Sequence, residues 1–172
     1  MLVSSHVSAS TITWDALSTD VNVSDIFTID VIGTGFTSNV DGGGINFSFD
    51  QSILNVLSVS IDESVWDFGS TGINTGTIDN LNGTVDEIMV NTFSNVTGDF
   101  IVASIEVMAV GTGSSLLSLT EYNLNPWASG GSLINPDFVT ASVNVTAVPL
   151  PAAAWLMICG LGLLGFTARK KD

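Results

Sequence analysis

Carboxylates supply almost all of the chemistry-bearing side chains in this sequence. It has 17 Asp and Glu residues, three Lys and Arg residues, one histidine, His6, and one cysteine, Cys159. Such a set suits a calcium site built from oxygen ligands, or a glycosidase pair in which one carboxyl has a raised pKa. Nucleophilic catalysis is disfavoured, because its serine or cysteine needs a histidine base and His6 lies near the N-terminus.

Residues 79–86, with the sequence DNLNGTVD, gather oxygen ligands around a glycine turn. Asp79, Asn82 and Asp86 are therefore candidate calcium ligands, although their spacing is not that of an EF-hand. Calcium is the one candidate cofactor that the sequence suggests. The alternative is a polar loop whose Asp and Asn side chains stabilise the turn itself.

Trp66 and Trp127 lie in irregular stretches rich in Gly, Ser, Thr and Asn. An exposed indole ring could stack on the face of a sugar, so both are candidate carbohydrate contacts. The alternative is that the rings close the open end of a β-sandwich. No two carboxylates are singled out as a catalytic pair, and we therefore predict a protein that is not an enzyme, with a small glycoside hydrolase as the least favoured reading.

The chain before residue 149 contains no lysine or arginine. Of the 17 acidic residues only Asp172 lies beyond that point, which leaves sixteen carboxylates to be balanced by backbone donors, hydroxyls, bound cations or a partner. Nucleic-acid binding depends on Lys and Arg contacts to phosphate, so this composition excludes a nucleic-acid partner.

The C-terminal residues 152–168 form an uncharged run of seventeen. As a helix this run would be about 25 Å long, enough for a short membrane span. Arg169, Lys170 and Lys171 follow it directly, which places this end in the cytoplasm and the rest of the chain across the membrane. We predict a transmembrane helix at 152–168; the alternative is a buried helix of a soluble domain.

The proline motif Val148-Pro149-Leu150-Pro151, the apolar run and the basic cluster occur in this order at the C-terminus. That arrangement resembles the PEP-CTERM sorting signal of Gram-negative bacteria, without the glutamate of the family's name. The resemblance implies an exosortase-type processing enzyme as a partner. It also implies anchoring in the inner membrane before processing, and then delivery to the cell surface or the extracellular matrix. A plain C-terminal membrane anchor is the alternative.

The remaining chain has the size of one domain. Residues 1–9 read as the end of a signal peptide or as a disordered end. From residue 10 to residue 147 the pattern alternates with a period of two, interrupted by turn residues every eight to twelve positions, which is typical of a β-sandwich. Eight or nine strands are predicted. Among the side chains expected to face the core are Ile45, Phe47, Phe49, Leu57 and Ile101.

Six stretches, in their order along the chain, resemble the cohesin-like β-sandwich: 23–31, 43–50, 54–59, 88–93, 101–105 and 111–116. This resemblance implies an all-β jelly-roll or immunoglobulin-like sandwich, followed here by the one C-terminal helix. It also implies a non-catalytic module that binds a protein ligand through its broad sheet faces. We therefore expect an exported envelope protein that acts as a binding or matrix module. The alternative is a carbohydrate-binding module of the exopolysaccharide matrix.

Overall fold

The computed structural model describes residues 10–69, 71–148 and Met157, and between residues 10 and 148 its regular elements are all β-strands. Eleven strands occur in the order β1 (Thr11–Trp14), β2 (Ser18–Asn22), β3 (Ile26–Ser48), β4 (Leu54–Ser60), β5 (Asn74–Asp79), β6 (Thr84–Ala109), β7 (Gly113–Glu121), β8 (Ala128–Ser129), β9 (Ser132–Leu133), β10 (Asp137–Phe138) and β11 (Ala141–Thr146).

The strands form a two-layer sandwich in which β3 and β6 contribute to both layers. The first half of β3 pairs with the second half of β6, and β1, β10 and β4 complete that layer. In the other layer the second half of β3 pairs with the first half of β6, joined by β5, β7, β11 and β2. Register shifts between Val31 and Gly42 mark where the two strands bend from one layer to the other.

The space between the layers is filled by aromatic and branched aliphatic side chains. Trp14 on β1 packs edge-on against Phe47 on β3, with 5.4 Å between ring centroids. Its indole nitrogen donates to the backbone oxygen of Leu117 on β7 at 3.1 Å, so one side chain links the two layers. The core alternation predicted for Ile45, Phe47 and Phe49 is confirmed, since all three are buried.

Two predicted core positions are wrong for the same reason. Leu57 is 42% exposed because a bulge between Val56 and Ser58 shifts the register of β4 against β6. Ile101 is 46% exposed and Val102 is buried instead, because a shift opposite Val31 and Ile32 inserts one extra residue into β6. A single extra residue moves the following side chains to the opposite face of a strand.

The prediction of eight or nine strands also needs correction. Segments that were expected to be separate strands are joined, through a bend, into the long strands β3 and β6. This makes the number of strands smaller than predicted in that part of the chain. The two-residue strands β8, β9 and β10 make the number larger than predicted. They lie in or next to the stretch around Trp127 that was predicted to be an irregular loop. Strand β5 lies inside the other predicted loop and includes Thr77, near which the sequence predicts a short strand.

Several predicted features fall outside the described residues. They are the N-terminal segment 1–9, Pro149, Leu150 and Pro151 of the sorting motif, the predicted span 152–168 apart from Met157, and the basic residues Arg169, Lys170 and Lys171. Val148, which follows β11, is exposed. Within the described part of the chain, no helix has the length and apolarity needed to cross a membrane.

We predict that Gly43→Ala destabilises the sandwich. A Cβ at this buried position would overlap the indole ring of Trp127, and overpacking a core costs about 1–3 kcal/mol. The exposed Ser48 lies on the same strand, and Ser48→Ala should stay within about 0.5 kcal/mol of the wild type. The free energies of unfolding come from chemical denaturation of the full chain. Equal values for the two variants would contradict the close packing at Gly43.

Candidate functional site

The layer built from β5, β6, β3, β7 and β11 presents a broad polar surface to solvent, which we call the outer face. We define it by outward side chains on those five strands, fully or partly exposed: Thr77, Asp79, Thr84, Asp86, Glu87, Met89, Asn46, Ser48, Leu116, Ser118, Thr120, Ser142 and Asn144. Hydroxyls, amides and carboxylates make up most of this surface, and it contains no lysine or arginine.

Register pairing aligns four of these polar side chains across four strands. Asp79 on β5 pairs with Thr84 on β6, which pairs with Ser48 on β3, which pairs with Ser118 on β7. Neighbouring strands lie about 4.8 Å apart, so this row spans about 15 Å of flat surface. Leu116, two residues before Ser118, is 63% exposed beside a shallow depression of about 550 Å³.

A bulge fixes the centre of the outer face. Glu87 has a φ of 68°, a left-handed backbone conformation that is unusual for a residue with a side chain. Its N–H donates to Asn46 Oδ1 at 2.7 Å, and Asn46 Nδ2 donates to the backbone oxygen of Glu121 at 3.4 Å. One amide side chain therefore connects β6, β3 and β7 and holds the exposed Glu87 in place.

An exposed aromatic pair lies at one end of the same strands, and the sequence reasoning did not single it out. Phe68 and Phe93 stack with 4.3 Å between ring centroids and 21° between ring planes, and they are 40% and 77% exposed. Phe93 continues the alternation of Met89 and Asn91 on β6, which places its ring on the side of the outer face. Exposed aromatic surface of this kind is a common contact for partners.

Asp67 holds this aromatic pair in position. Its carboxylate accepts hydrogen bonds from the Phe93 N–H at 2.7 Å, Thr92 Oγ1 at 2.8 Å and Ser94 Oγ at 2.7 Å. These donors, with the Ser94 hydroxyl contributing most, lower the pKa of Asp67 to about 2. The Phe68 N–H donates to the Asn91 oxygen at 3.2 Å, so the loop is fixed to β6 on both sides of the rings.

Of the two readings of Trp66 and Trp127, the burial of both side chains agrees with closure of the sandwich end and not with an exposed sugar contact. Both indole rings are fully buried. Trp66 packs edge-on against Phe100 at 5.4 Å, and its Nε1 donates to the Ile101 oxygen at 2.9 Å. Trp127 lies over Gly43 and against Phe36, with 5.9 Å between ring centroids. The loops fold inward, so the rings close one end of the sandwich.

Among the candidate calcium ligands, Asp79 accepts hydrogen bonds from residues of the turn that follows it. Its Oδ1 accepts from the N–H groups of Leu81 and Asn82, and its Oδ2 accepts from Asn82 Nδ2 at 2.7 Å. The Asn82 side chain is the largest cause of the lowered pKa of Asp79. Asp86 accepts from the Thr84 hydroxyl at 3.0 Å. Calcium binding by Asp79, Asn82 and Asp86 stays a prediction.

Catalysis by a carboxylate pair finds little support in the described residues. Asp62 and Asp99 line the same cleft, but the Ser64 hydroxyl and N–H lower the pKa of Asp62. A glycosidase general acid needs the opposite shift. Every displaced carboxyl pKa among the described residues, at Asp50, Asp62, Asp67 and Asp79, is displaced downward.

Comparison with known proteins gives matches at the level of structure. No protein-family model and no curated protein matches the sequence. The solved structures that match include CaCohA2 of Clostridium acetobutylicum, at 18% identity and a TM-score of 0.62, covering 81% of this chain and 94% of that one. The OlpA cohesin of Clostridium thermocellum, solved as a type I cohesin–dockerin complex, matches at 9% identity and a TM-score of 0.65, covering 81% and 100%.

A third match is the cohesin module from a family 33 glycoside hydrolase of Clostridium perfringens, at 11% identity and a TM-score of 0.64, covering 81% of this chain and 98% of that one. The chain has the fold of cohesin modules. The all-β, cohesin-like prediction is thereby confirmed, and since identity stays below a fifth, the likeness concerns fold. The match spans almost all of each of these cohesin modules.

We predict that Asp67 gives the folded state an acid-sensitive stabilisation. Its pKa falls from an ordinary 3.8 to about 2, so its contribution is complete above about pH 3.8 and is lost as the pH falls towards 2. Asp67→Asn should therefore lower stability at neutral pH and flatten the fall between pH 4 and pH 2. Denaturation midpoints measured across that range test this. Parallel curves for the wild type and the variant would contradict it.

Proposed function

We propose that this protein is a non-catalytic, exported binding module of the cell envelope, whose cohesin-like sandwich binds a protein partner through the outer face. The observation that carries the proposal is the outer face itself, which is five strands wide, is cross-linked by the Asn46 hydrogen bonds and carries only negative charges. One of its structural neighbours was solved as a cohesin–dockerin complex, which supports a protein ligand for this fold.

The composition of the outer face suits recognition by charge and shape more than burial of a large apolar area. Asp79, Asp86 and Glu87 supply negative charge on two adjacent strands, and Leu116 supplies an exposed apolar side chain next to a depression. Interfaces combine a few apolar anchors with a polar surround, and charge complementarity directs the choice of partner. A partner with a basic surface and an apolar side chain for this depression fits both features.

We predict that Leu116→Arg abolishes partner capture, because the long cation fills the depression and reverses local charge. Thr28→Arg adds the same charge to an exposed position on the other layer and should leave capture within about twofold of wild type. The full chain and both variants are compared by capture from envelope extracts of the encoding bacterium, with bound protein quantified by mass spectrometry. A loss of at least about tenfold confined to Leu116→Arg is expected.

Capture that is equal in both variants would contradict the outer face as the binding surface. Retention of purified envelope polysaccharide, with no protein bound in stoichiometric amount, would instead favour the second candidate function.

That second candidate is binding to the exopolysaccharide matrix, and the exposed Phe68–Phe93 pair is the observation that favours it. Aromatic rings whose positions are already fixed before the ligand binds can stack on sugars with little further loss of conformational freedom. The same loop region also contains a cleft of about 270 Å³, lined by Glu63, Gly69 and Asn74. Its polar groups could form hydrogen bonds with the hydroxyls of a sugar.

If sugars stack on this pair, Phe93→Ala should weaken binding of the full chain to matrix polysaccharide by about tenfold, since an aromatic contact contributes about 0.5–1.5 kcal/mol beyond its buried area. Leu133→Ala, which removes an equally exposed apolar side chain on β9, is the control. Affinity electrophoresis measures both. The same retardation for Phe93→Ala and wild type would remove this candidate.

Display at the envelope is the part of the proposal that rests on the C-terminal sequence. We propose an exosortase-type enzyme as the processing partner, acting near Val148, Pro149, Leu150 and Pro151, with Arg169, Lys170 and Lys171 retaining the far end in the cytoplasm. The inner membrane then anchors the chain before processing, and the cell surface or matrix of a Gram-negative bacterium receives the product.

We predict that the mature surface protein has lost residues 152–172. Its intact mass, measured after extraction from the cell surface, should correspond to a chain ending close to the sorting motif. Replacing Arg169, Lys170 and Lys171 together by Gln should reduce delivery to the surface. Without these positive charges, the C-terminal end of the span is no longer held on the cytoplasmic side of the membrane. A surface protein that retains residues 152–172 would show a permanent anchor instead.

A further inference from the structure

A cleft lies on the other layer, away from the outer face. It has a volume of about 650 Å³ and is lined on one side by Ser60, Asp62 and Val65, and on the other by Asp99 and Ile101. Ligand-binding clefts commonly measure about 300–1,000 Å³. We call it the β4–β6 cleft, and the proposed function does not use it.

This cleft exists because β4 ends before its partner strand does. The last β4 pair joins Ser60 to Ser104, while β3 continues along the opposite edge of β6 and pairs Ile32 with Ile101. On the edge of β6 where β4 pairs, the next described pairing towards the N-terminus of β6 is that of Met89 with β5. No described strand pairs with that edge between Met89 and Ser104, although the Ile101 oxygen in this stretch already accepts from Trp66 Nε1. A strand without a neighbour is a common docking point for an extended peptide.

The wall opposite β6 is fixed by hydrogen bonds at both ends. Asp62 Oδ1 accepts from the Ser64 N–H at 2.9 Å and from the Ser64 hydroxyl at 2.7 Å, and the Asp62 carbonyl accepts from the N–H of Trp66 at 2.9 Å. At the far end the buried Trp66 donates to the Ile101 oxygen. These bonds fix the turn of the loop at Asp62 and attach the loop to β6 at Trp66.

The chemistry of the cleft combines an apolar floor with fixed negative charge. Ile101 is 46% exposed within it, and Val65 adds a partly buried apolar side chain. Asp62 lines the cleft from the loop after β4 and Asp99 lines it from β6, and Asp99 Oδ1 accepts from the Gly35 N–H at 3.2 Å. The hydrogen bonds from the Ser64 hydroxyl and N–H lower the pKa of Asp62 from its ordinary value.

We propose that the β4–β6 cleft binds an extended segment of a partner protein through an arginine or lysine side chain. The aliphatic stem of that side chain lies on Ile101 and Val65, and its charged head lies between Asp62 and Asp99. A long cationic side chain has both parts, and arginine can engage two carboxylate oxygens at once. The described residues contain no cation that could fill the cleft from within, so charge complementarity points to a partner.

The probe is a blocked pentapeptide, Thr-Val-Arg-Val-Thr, titrated into the isotope-labelled full chain in a non-ionic detergent and followed by NMR. We expect saturable shifts at the amides of Ile101 and Asp99. Asp99→Asn should weaken binding about tenfold, the usual scale for a hydrogen bond to a charged group. Asp137→Asn, which removes one exposed carboxylate at the opposite edge of the same layer, should leave affinity within about twofold.

Raising the salt concentration from 50 mM to 500 mM should weaken binding further, and the peptide with Glu in place of Arg should not bind. The proposal is overturned if no saturable shift appears, if the Glu peptide binds equally, or if Asp99→Asn and Asp137→Asn weaken binding alike. Cleft amides that shift with salt before peptide is added would indicate that Arg169, Lys170 or Lys171 of the chain itself occupies the cleft, and would overturn a partner's role. Because the cleft lies outside the outer face, Leu116→Arg leaves this titration unchanged, and the two proposals fail separately.

Discussion

The pairing of β3 with β6 is the interaction on which the rest of this structure depends. It begins at Ile26 and Met108 and continues to Ser48 and Thr84, across both layers of the sandwich. Five strands pair directly with these two, β4 and β5 with β6, and β1, β7 and β8 with β3; the other described strands join through them, β10 on β1, β9 on β8, β11 on β7 and β2 on β11. The bends in the pair create the corner under which Trp66 and Trp127 are buried, and the point where β4 ends beside β6 creates the cleft. Both candidate surfaces are therefore consequences of one long antiparallel pairing.

A protein body without lysine or arginine must balance its carboxylates in other ways, and the structure shows how. Asp50, Asp62, Asp67 and Asp79 accept hydrogen bonds from hydroxyls, amides and backbone N–H groups close by, which lowers the pKa of each. Such bonds stabilise the charged form without a counterion. The four residues are fully or partly exposed, so their negative charge is available at the surface. This links the turn chemistry of the loops to the expectation that a partner is basic.

Where the strands are regular, the periodicity of the sequence was enough to predict which side chains face the core. The alternation of Ile45, Phe47 and Phe49 predicted a core face that the structure confirms. It failed at Leu57 and Ile101, because a bulge leaves no mark in a short stretch of alternating side chains. Loop aromatics were harder still: whether a ring is buried depends on which distant strand lies beneath it, so the sequence left both a buried and an exposed position open for Trp66. The Phe68–Phe93 pair joins residues that only the folding of the loop onto β6 brings together.

The central claim is that the outer face, formed across β5, β6, β3, β7 and β11, is the surface that meets the partner. A structure of the full chain bound to its envelope partner tests this most directly. The account predicts contacts from Asp86, Glu87, Ser118 and Leu116, with the partner presenting lysine or arginine opposite the carboxylates. A partner seated instead on the exposed side of β1 and the first half of β3, with the outer face open to solvent, would contradict it.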